Sequence, residues 1–264
     1  MYKGFYGFKE EPFGLTPDPD FLFLTEELRE ILESLLYGIT HRQGFLTLIG
    51  DIGTGKTTTY RTLLQRLNGN ARSALMINPN MSEQELLRDV LKDFGVEIKG
   101  TTVKELIDEL NGFLLGLLDK GGNAVLIIDE AQNLPPSTLE QIRMLSNLET
   151  TKQKLIQILL VGQLELQQKL EHQGLRSLNQ RITIRTCLKH LNREETEGYI
   201  KHRLKVAGGN GKISFTAGAF KSIFKYTKGV PRVINLICDR ILMAGYVEGT
   251  TRFNRAIVRK AIED

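Results

Sequence analysis

Eight consecutive residues, Gly50-Asp51-Ile52-Gly53-Thr54-Gly55-Lys56-Thr57, follow the spacing G-x-x-x-x-G-K-[ST] in full. Glycines at these positions let the backbone curl so that successive N–H groups face inward toward phosphate oxygens. A helix starting immediately afterwards adds its positive N-terminal end. Lys56 supplies a point charge for the β and γ phosphates, the hydroxyl of Thr57 suits Mg²⁺, and Thr58 completes the phosphate-binding run. Seventy-three residues after Lys56, the apolar run Val125-Leu126-Ile127-Ile128 ends in two carboxylates, Asp129 and Glu130. A carboxylate at such a strand end is placed to hold Mg²⁺, and its neighbour is placed to polarise a water for attack on a γ-phosphate. The chain has no Asn-Lys-x-Asp guanine-reading motif, so ATP is expected over GTP.

This chemistry requires strands that stop at one edge of a sheet, and the hydrophobic pattern provides them. Strands are expected at 44–50, 73–78, 124–129, 155–161 and, shorter, 181–185. Near-continuous apolar strands that alternate with helices predict a parallel sheet covered on both faces, a three-layer α/β core. Helices are expected at 57–67, from Ser82 with Glu85 as a capping box, from Thr102 with Glu105 as a second, and at 137–148. Thr25 reads as the N-cap of a helix with Leu28, Ile31, Leu32, Leu35 and Leu36 on one face. The prolines between Glu11 and Asp20 exclude a regular helix there. Beyond Leu191 the pattern becomes helical only, at 194–206, 216–228, 231–247 and 254–263. The expected organisation is an N-terminal arm and helix (1–43), a nucleotide core (44–190) and an all-helical lid (191–264).

Composition narrows the class. The 264 residues are 41% hydrophobic and 25% charged, ordinary values for a soluble globular protein. The apolar runs are too short to span a bilayer, and the first ten residues hold no apolar signal region, so a cytoplasmic chain is expected. The net charge of +4 conceals an asymmetry. Residues 191–264 carry 14 Lys/Arg and 7 Asp/Glu, which leaves 21 and 24 in the first 190. A basic C-terminal region suits nucleic acid, acidic lipid or an acidic neighbouring subunit, and equally a solvated lysine-rich surface. Cys187 and Cys238 have no Cys-x-x-Cys spacing and read as buried free thiols. The four histidines lie on no metal-like spacing.

With both motifs placed, the chain resembles the AAA+ ATPases typified by general secretion pathway protein A, and their shorter relatives in pilus and exopolysaccharide loci. The resemblance rests on Phe5-Tyr6-Gly7-Phe8, Pro12-Phe13, Thr16-Pro17-Asp18-Pro19-Asp20-Phe21, Tyr37-Gly38-Ile39 and Asp129-Glu130-Ala131-Gln132-Asn133-Leu134. It extends through Leu160-Val161-Gly162-Gln163, Gln180-Arg181-Ile182, Tyr199 to Leu204 and Gly229-Val230-Pro231-Arg232-Val233-Ile234-Asn235.

That resemblance implies further roles. Gln163 would be a sensor for the γ-phosphate or the attacking water. Arg181, with Arg176 as a second candidate, would be the finger that reaches a neighbour's γ-phosphate. Arg232 would read the nucleotide from its own subunit. It also implies a homo-oligomer, protein partners in an envelope or secretion assembly and a peripheral contact with the inner face of the membrane. A DNA-binding ATPase of the transposition-regulator type and a nucleotide-gated scaffold with little hydrolysis stay open as alternatives.

Overall fold

A computed structural model describes residues 2–67, 69, 71–76, 82–209, 211 and 213–263. In chain order its elements are α1 (Tyr2–Tyr6), α2 (Glu26–Thr40), β1 (Phe45–Gly50), α3 (Lys56–Arg66), β2 (Ala71–Met76), α4 (Glu83–Asp93), α5 (Val103–Asp119) and β3 (Asn123–Ile128). Then follow α6 (Pro136–Leu145), β4 (Ile156–Gly162), α7 (Leu164–Glu171), α8 (Arg176–Asn179), β5 (Ile182–Leu188) and α9 (Arg193–Val206). The chain ends in β6 (Ser214–Phe215), α10 (Ala217–Thr227), α11 (Pro231–Glu248), β7 (Arg252–Phe253) and α12 (Arg255–Glu263). These elements fall into two compact units.

The sheet unit comprises Glu27–Asp51 and Thr59–Leu188. Its five strands are all parallel, in the order β2-β3-β4-β1-β5. Every residue of β1 and β4 is buried, which is why both read as largely apolar runs, broken only by Thr47 and Gln157. Ile49 lies opposite Gly162 and Ile128 opposite Leu160, so β1, β3 and β4 end along one edge of the sheet. Leu86, Leu87, Val90 and Leu91 of α4 and Leu106, Leu110 and Leu114 of α5 pack into the core with Leu126 and Ile158. Both helices begin with reciprocal capping boxes, Ser82 with Glu85 and Thr102 with Glu105. Four bonds from Thr101 and Thr102, those from backbone N–H groups first, hold the Glu105 carboxyl down at about 2.

The C-terminal unit comprises Met1–Glu26, Ile52–Thr58 and Lys189–Asp264. Helices dominate it, joined by the two-residue parallel pair β6–β7. Residues 2–26 are built into its core: Tyr6, Phe8, Phe13 and Phe21 are buried with Ile200, Ile237, Cys238 and Phe253. Tyr6 donates its hydroxyl to the carbonyl of Leu242 at 2.9 Å, and burial raises its phenol to about 12. Arg203, itself buried, donates to the carbonyls of Pro12 and Gly14 and to the Tyr199 hydroxyl, with its guanidinium 4.7 Å from the Phe21 ring centroid. Asn235 accepts from Tyr199 at 2.9 Å and donates to Gly14. Tyr199, Arg203 and Asn235, which stood out in the sequence as motif residues, thus fix the proline-rich turn.

Expectation and structure part at identifiable places. The segment 1–43 divides at Glu26, because residues 2–26 bury their aromatic side chains with the C-terminal helices. The fifth strand runs to Leu188 rather than Arg185: as an edge strand it alternates buried and exposed positions, so no apolar run marks its end. Cys187 is exposed on that strand rather than buried, while both cysteines are free as expected. The second strand begins at Ala71, and Ile77 and Asn78 of the expected 73–78 lie outside the described residues. Among the described residues no helix is long and apolar enough to cross a membrane.

Candidate functional site

The phosphate-loop residues Ile52–Thr58 belong to the C-terminal unit, where they meet the start of α11. Gly53 and Gly55 have φ of +77° and +99°, values that let the chain curl between β1 and α3 and that favour glycine. Gly53 is also tightly packed: a Cβ there would sit 2.7 Å from Arg232 Cβ and 3.2 Å from Val230 Cγ1. The amide of Arg232 donates to the Gly53 carbonyl at 3.2 Å. Gly229 permits this approach, because a Cβ on it would lie 1.9 Å from the Leu191 carbonyl oxygen, whose residue donates its own amide to Gly229. Pro231 then opens α11, where a missing N–H costs nothing. The Gly229-Val230-Pro231-Arg232 sequence therefore brings an exposed arginine to the loop through backbone contacts.

Helix α3 starts at Lys56, with Thr57 and Thr58 in a first turn that contains no carboxylate. Lys56 is largely buried, as is Thr54, whereas Asp51 and Ile52 are exposed. The N-terminal end of α3, with its dipole and no first-turn carboxylate, is suited to anionic oxygens.

The carboxylates stand at the carboxyl edge of the sheet unit, the edge from which β1 runs into the loop. Asp129 follows β3 and donates its amide to the Met76 carbonyl at 3.0 Å, which fixes it at the strand end. Tyr60, buried on α3, hydrogen-bonds to the Asp129 side chain. Its phenol is raised to about 12, first by burial and then by the Asp129 charge. Glu130 has φ 52° and ψ 37°, a left-handed conformation that costs a non-glycine residue on the order of 1 kcal/mol or more. Its amide donates to Asp129 Oδ1 at 2.9 Å. Gln163, the residue after β4, donates its side-chain amide to Glu130 Oε2 at 3.2 Å. The Asp129 carboxylate is a hard oxygen donor, and this chemistry suits Mg²⁺.

The remaining arginines sit elsewhere. Arg181 precedes β5 at the opposite, amino edge, since Ile182 pairs with Phe45 at the start of β1. It donates to Ser146 Oγ at 2.8 Å and Asn147 Oδ1 at 2.7 Å, just past α6. A seven-residue strand spans about 20 Å, so Arg181 is far from Asp129 and Glu130 of its own sheet. Arg176 opens α8 and is exposed. Sequence reasoning gave Gln132 no role, yet its side chain joins Glu130 to the start of α7. The signal was present: an amide two residues after the acidic pair, on a turn too short to bury it.

A family model described as an AAA domain matches residues 39–170, half of the chain. The chain belongs to the AAA family. Its AAA domain is accompanied by a wider likeness to general secretion pathway protein A of Aeromonas hydrophila. The two are 42% identical over 251 residues, covering 95% of this chain and 46% of that protein. The chain thus spans about half the length of the curated relative it matches. The kinship read from the motifs is borne out. Among solved structures, an Aeropyrum pernix ORC2 protein with ADPNP and ADP superposes with a TM-score of 0.72 at 16% identity, over 97% of this chain and 72% of that one. Cdc6p of Pyrobaculum aerophilum gives 0.67 at 18%, over 94% and 71%. At such identities these likenesses speak for the AAA+ P-loop fold alone, the fold that the resemblance implied and whose parallel sheet the strand pattern predicted.

Proposed function

We propose that the chain binds ATP with Mg²⁺ and hydrolyses it to ADP and phosphate. The observation that carries this reading is the shared carboxyl edge of β1, β3 and β4. There one strand runs into the phosphate-type loop, the next-but-one ends in Asp129 and Glu130, and the strand between them ends in Gln163. In this reading the N–H groups of 50–58 and the Lys56 ammonium hold the β and γ phosphates. Thr57 and Asp129 would hold Mg²⁺, which supplies neutralising charge when bound. Glu130 accepts a proton as the water oxygen bonds to the γ-phosphorus and the bond to the β–γ bridging oxygen breaks. Gln163 orients that water, and Arg232 reports the bound nucleotide to α11. Arg181, remote from its own carboxylates, serves a neighbouring copy, with Arg176 as the second candidate.

The chain therefore works as a homo-oligomer, with 44–190 as nucleotide core and 191–264 as lid. Its similarity to a general secretion pathway protein supports a role in assembling an envelope, secretion or pilus-type machine through protein partners at the inner face of the membrane. The net charge of +7 over 191–264 favours one second reading, an ATPase that binds duplex DNA. DNA-stimulated turnover with steep salt dependence would select it.

Glu130→Gln tests the hydrolytic assignment. It should bind ATP as the wild type does and release phosphate slowly. Turnover within about threefold of wild type would remove Glu130 from the role.

A further inference from the structure

We propose that Gln132 is a positioning residue for hydrolysis, its side-chain amide clamping the Glu130 carboxylate to the start of α7. This rests on the reading of Glu130 as the group that takes the proton from water. Gln132 Nε2 donates to Glu130 Oε2, the oxygen that also accepts from Gln163 Nε2 at 3.2 Å. The Gln132 amide can face only one way. Its Oε1 accepts from the backbone N–H of Gln163 at 3.0 Å, and a flipped amide would turn N–H against N–H. The turn is also fixed from below, because Lys169 of α7 donates to the carbonyls of Gln132 and, at 2.9 Å, Leu134. Gly162 leaves the room needed, since a Cβ there would lie 2.8 Å from Gln132 Oε1.

The clamp answers a specific need. Glu130 sits in the left-handed region, and its flexible side chain has several staggered arrangements available. With Oε2 held by two amides, one arrangement is selected and Oε1 is left to face water. A proton acceptor must lie within about 3 Å of the proton it takes, so freedom in that carboxylate lowers the rate without altering phosphate binding.

Gln132→Glu isolates the donor. It matches glutamine in shape and still accepts from the Gln163 N–H, but it removes the N–H to Glu130 and sets a like charge beside it. Steady-state hydrolysis of Mg-ATP by the full chain should show kcat down by about tenfold or more with KM little changed, the scale of a lost bond to a charged group. The same change made on Glu130→Gln should add nothing, because no carboxylate remains to be aimed. A further loss in that background of the same size as in wild type would place Gln132's effect elsewhere and overturn the clamp. So would wild-type kcat and KM in Gln132→Glu while Glu130→Gln is slow. If Glu130→Gln itself turns over normally, the proton-acceptor assignment falls, and the clamp falls with it. Rates are compared at a temperature below the melting point of every variant, so that loss of folded protein does not enter kcat.

Discussion

Gly53→Ala places the smallest perturbation at the junction of the loop and α11. Two costs can be worked out. At φ +77° a β-carbon costs roughly 1–2 kcal/mol that glycine does not incur. That carbon would also stand 2.7 Å from Arg232 Cβ, which is fixed to the backbone and cannot rotate away. Relief requires α11 to withdraw and stretches the 3.2 Å bond from the Arg232 amide to the Gly53 carbonyl, a further loss of about 1 kcal/mol. If ATP needs the loop in its present form, binding must restore that form, and the full cost of about 2–3 kcal/mol appears in the affinity. ATP should then bind about 30- to 150-fold more weakly. Isothermal titration with Mg-ATP measures this directly. Gly121→Ala is the control, at φ +73° with open space around it, and it should lower stability slightly while leaving ATP affinity unchanged. An affinity for Gly53→Ala within about twofold of wild type would show that the loop's contact with α11 plays no part in holding nucleotide.

Lys56→Ala should abolish ATP binding in the same titration, since the phosphates lose their charge partner. Arg181→Ala should keep ATP binding and lose hydrolysis, by about a thousandfold if its guanidinium completes a neighbour's site. Mixing it with Lys56→Ala should then restore turnover, whereas no recovery together with concentration-independent rates would end the trans assignment. The Tyr60 phenol, raised from 10 to about 12 in the fold, keeps a proton that the unfolded chain releases above pH 10. Its contribution is therefore complete below pH 10 and is lost as pH rises toward 12, up to about 2–3 kcal/mol. Urea unfolding of Tyr60→Phe should lose less stability over that interval than wild type, and parallel curves would contradict the assigned burial.

The parts of the site that depend on spacing and burial were legible in the sequence. The loop of 50–57 is defined by its glycines and lysine, and β1, β3 and β4 declare themselves because both faces are covered. The capping boxes at Ser82 and Thr102 are local, and both form as expected. What escaped depends on distant partners. Helix α1 is five residues long and is held by Tyr2 and Tyr6, which bond to Asp239 and Leu242 at the far end of the chain. The Gln132 clamp needs Glu130 in a left-handed conformation that no local pattern specifies. The bonds from Arg181 to Ser146 and Asn147 depend on where α6 stops, earlier than the expected 148, after which Ser146 Oγ bonds back to the Arg143 carbonyl at 2.7 Å.

The residence of residues 2–26 in the core of the C-terminal unit has a consequence for synthesis. Those residues leave the ribosome before the sheet unit, yet Ile200, Ile237 and Phe253, which bury their aromatic rings, are made after it. At ordinary translation speeds the 162 residues between Glu26 and Lys189 take roughly ten to thirty seconds to make. For that interval Tyr6, Phe8, Phe13 and Phe21 lack their partners from the C-terminal helices, while the sheet unit, continuous but for the loop, can already close around its own strands. This segment, made before the sheet unit, thus settles after it. A nascent chain stalled before α9 would leave these four aromatic residues without the helices that cover them, a natural target for chaperones.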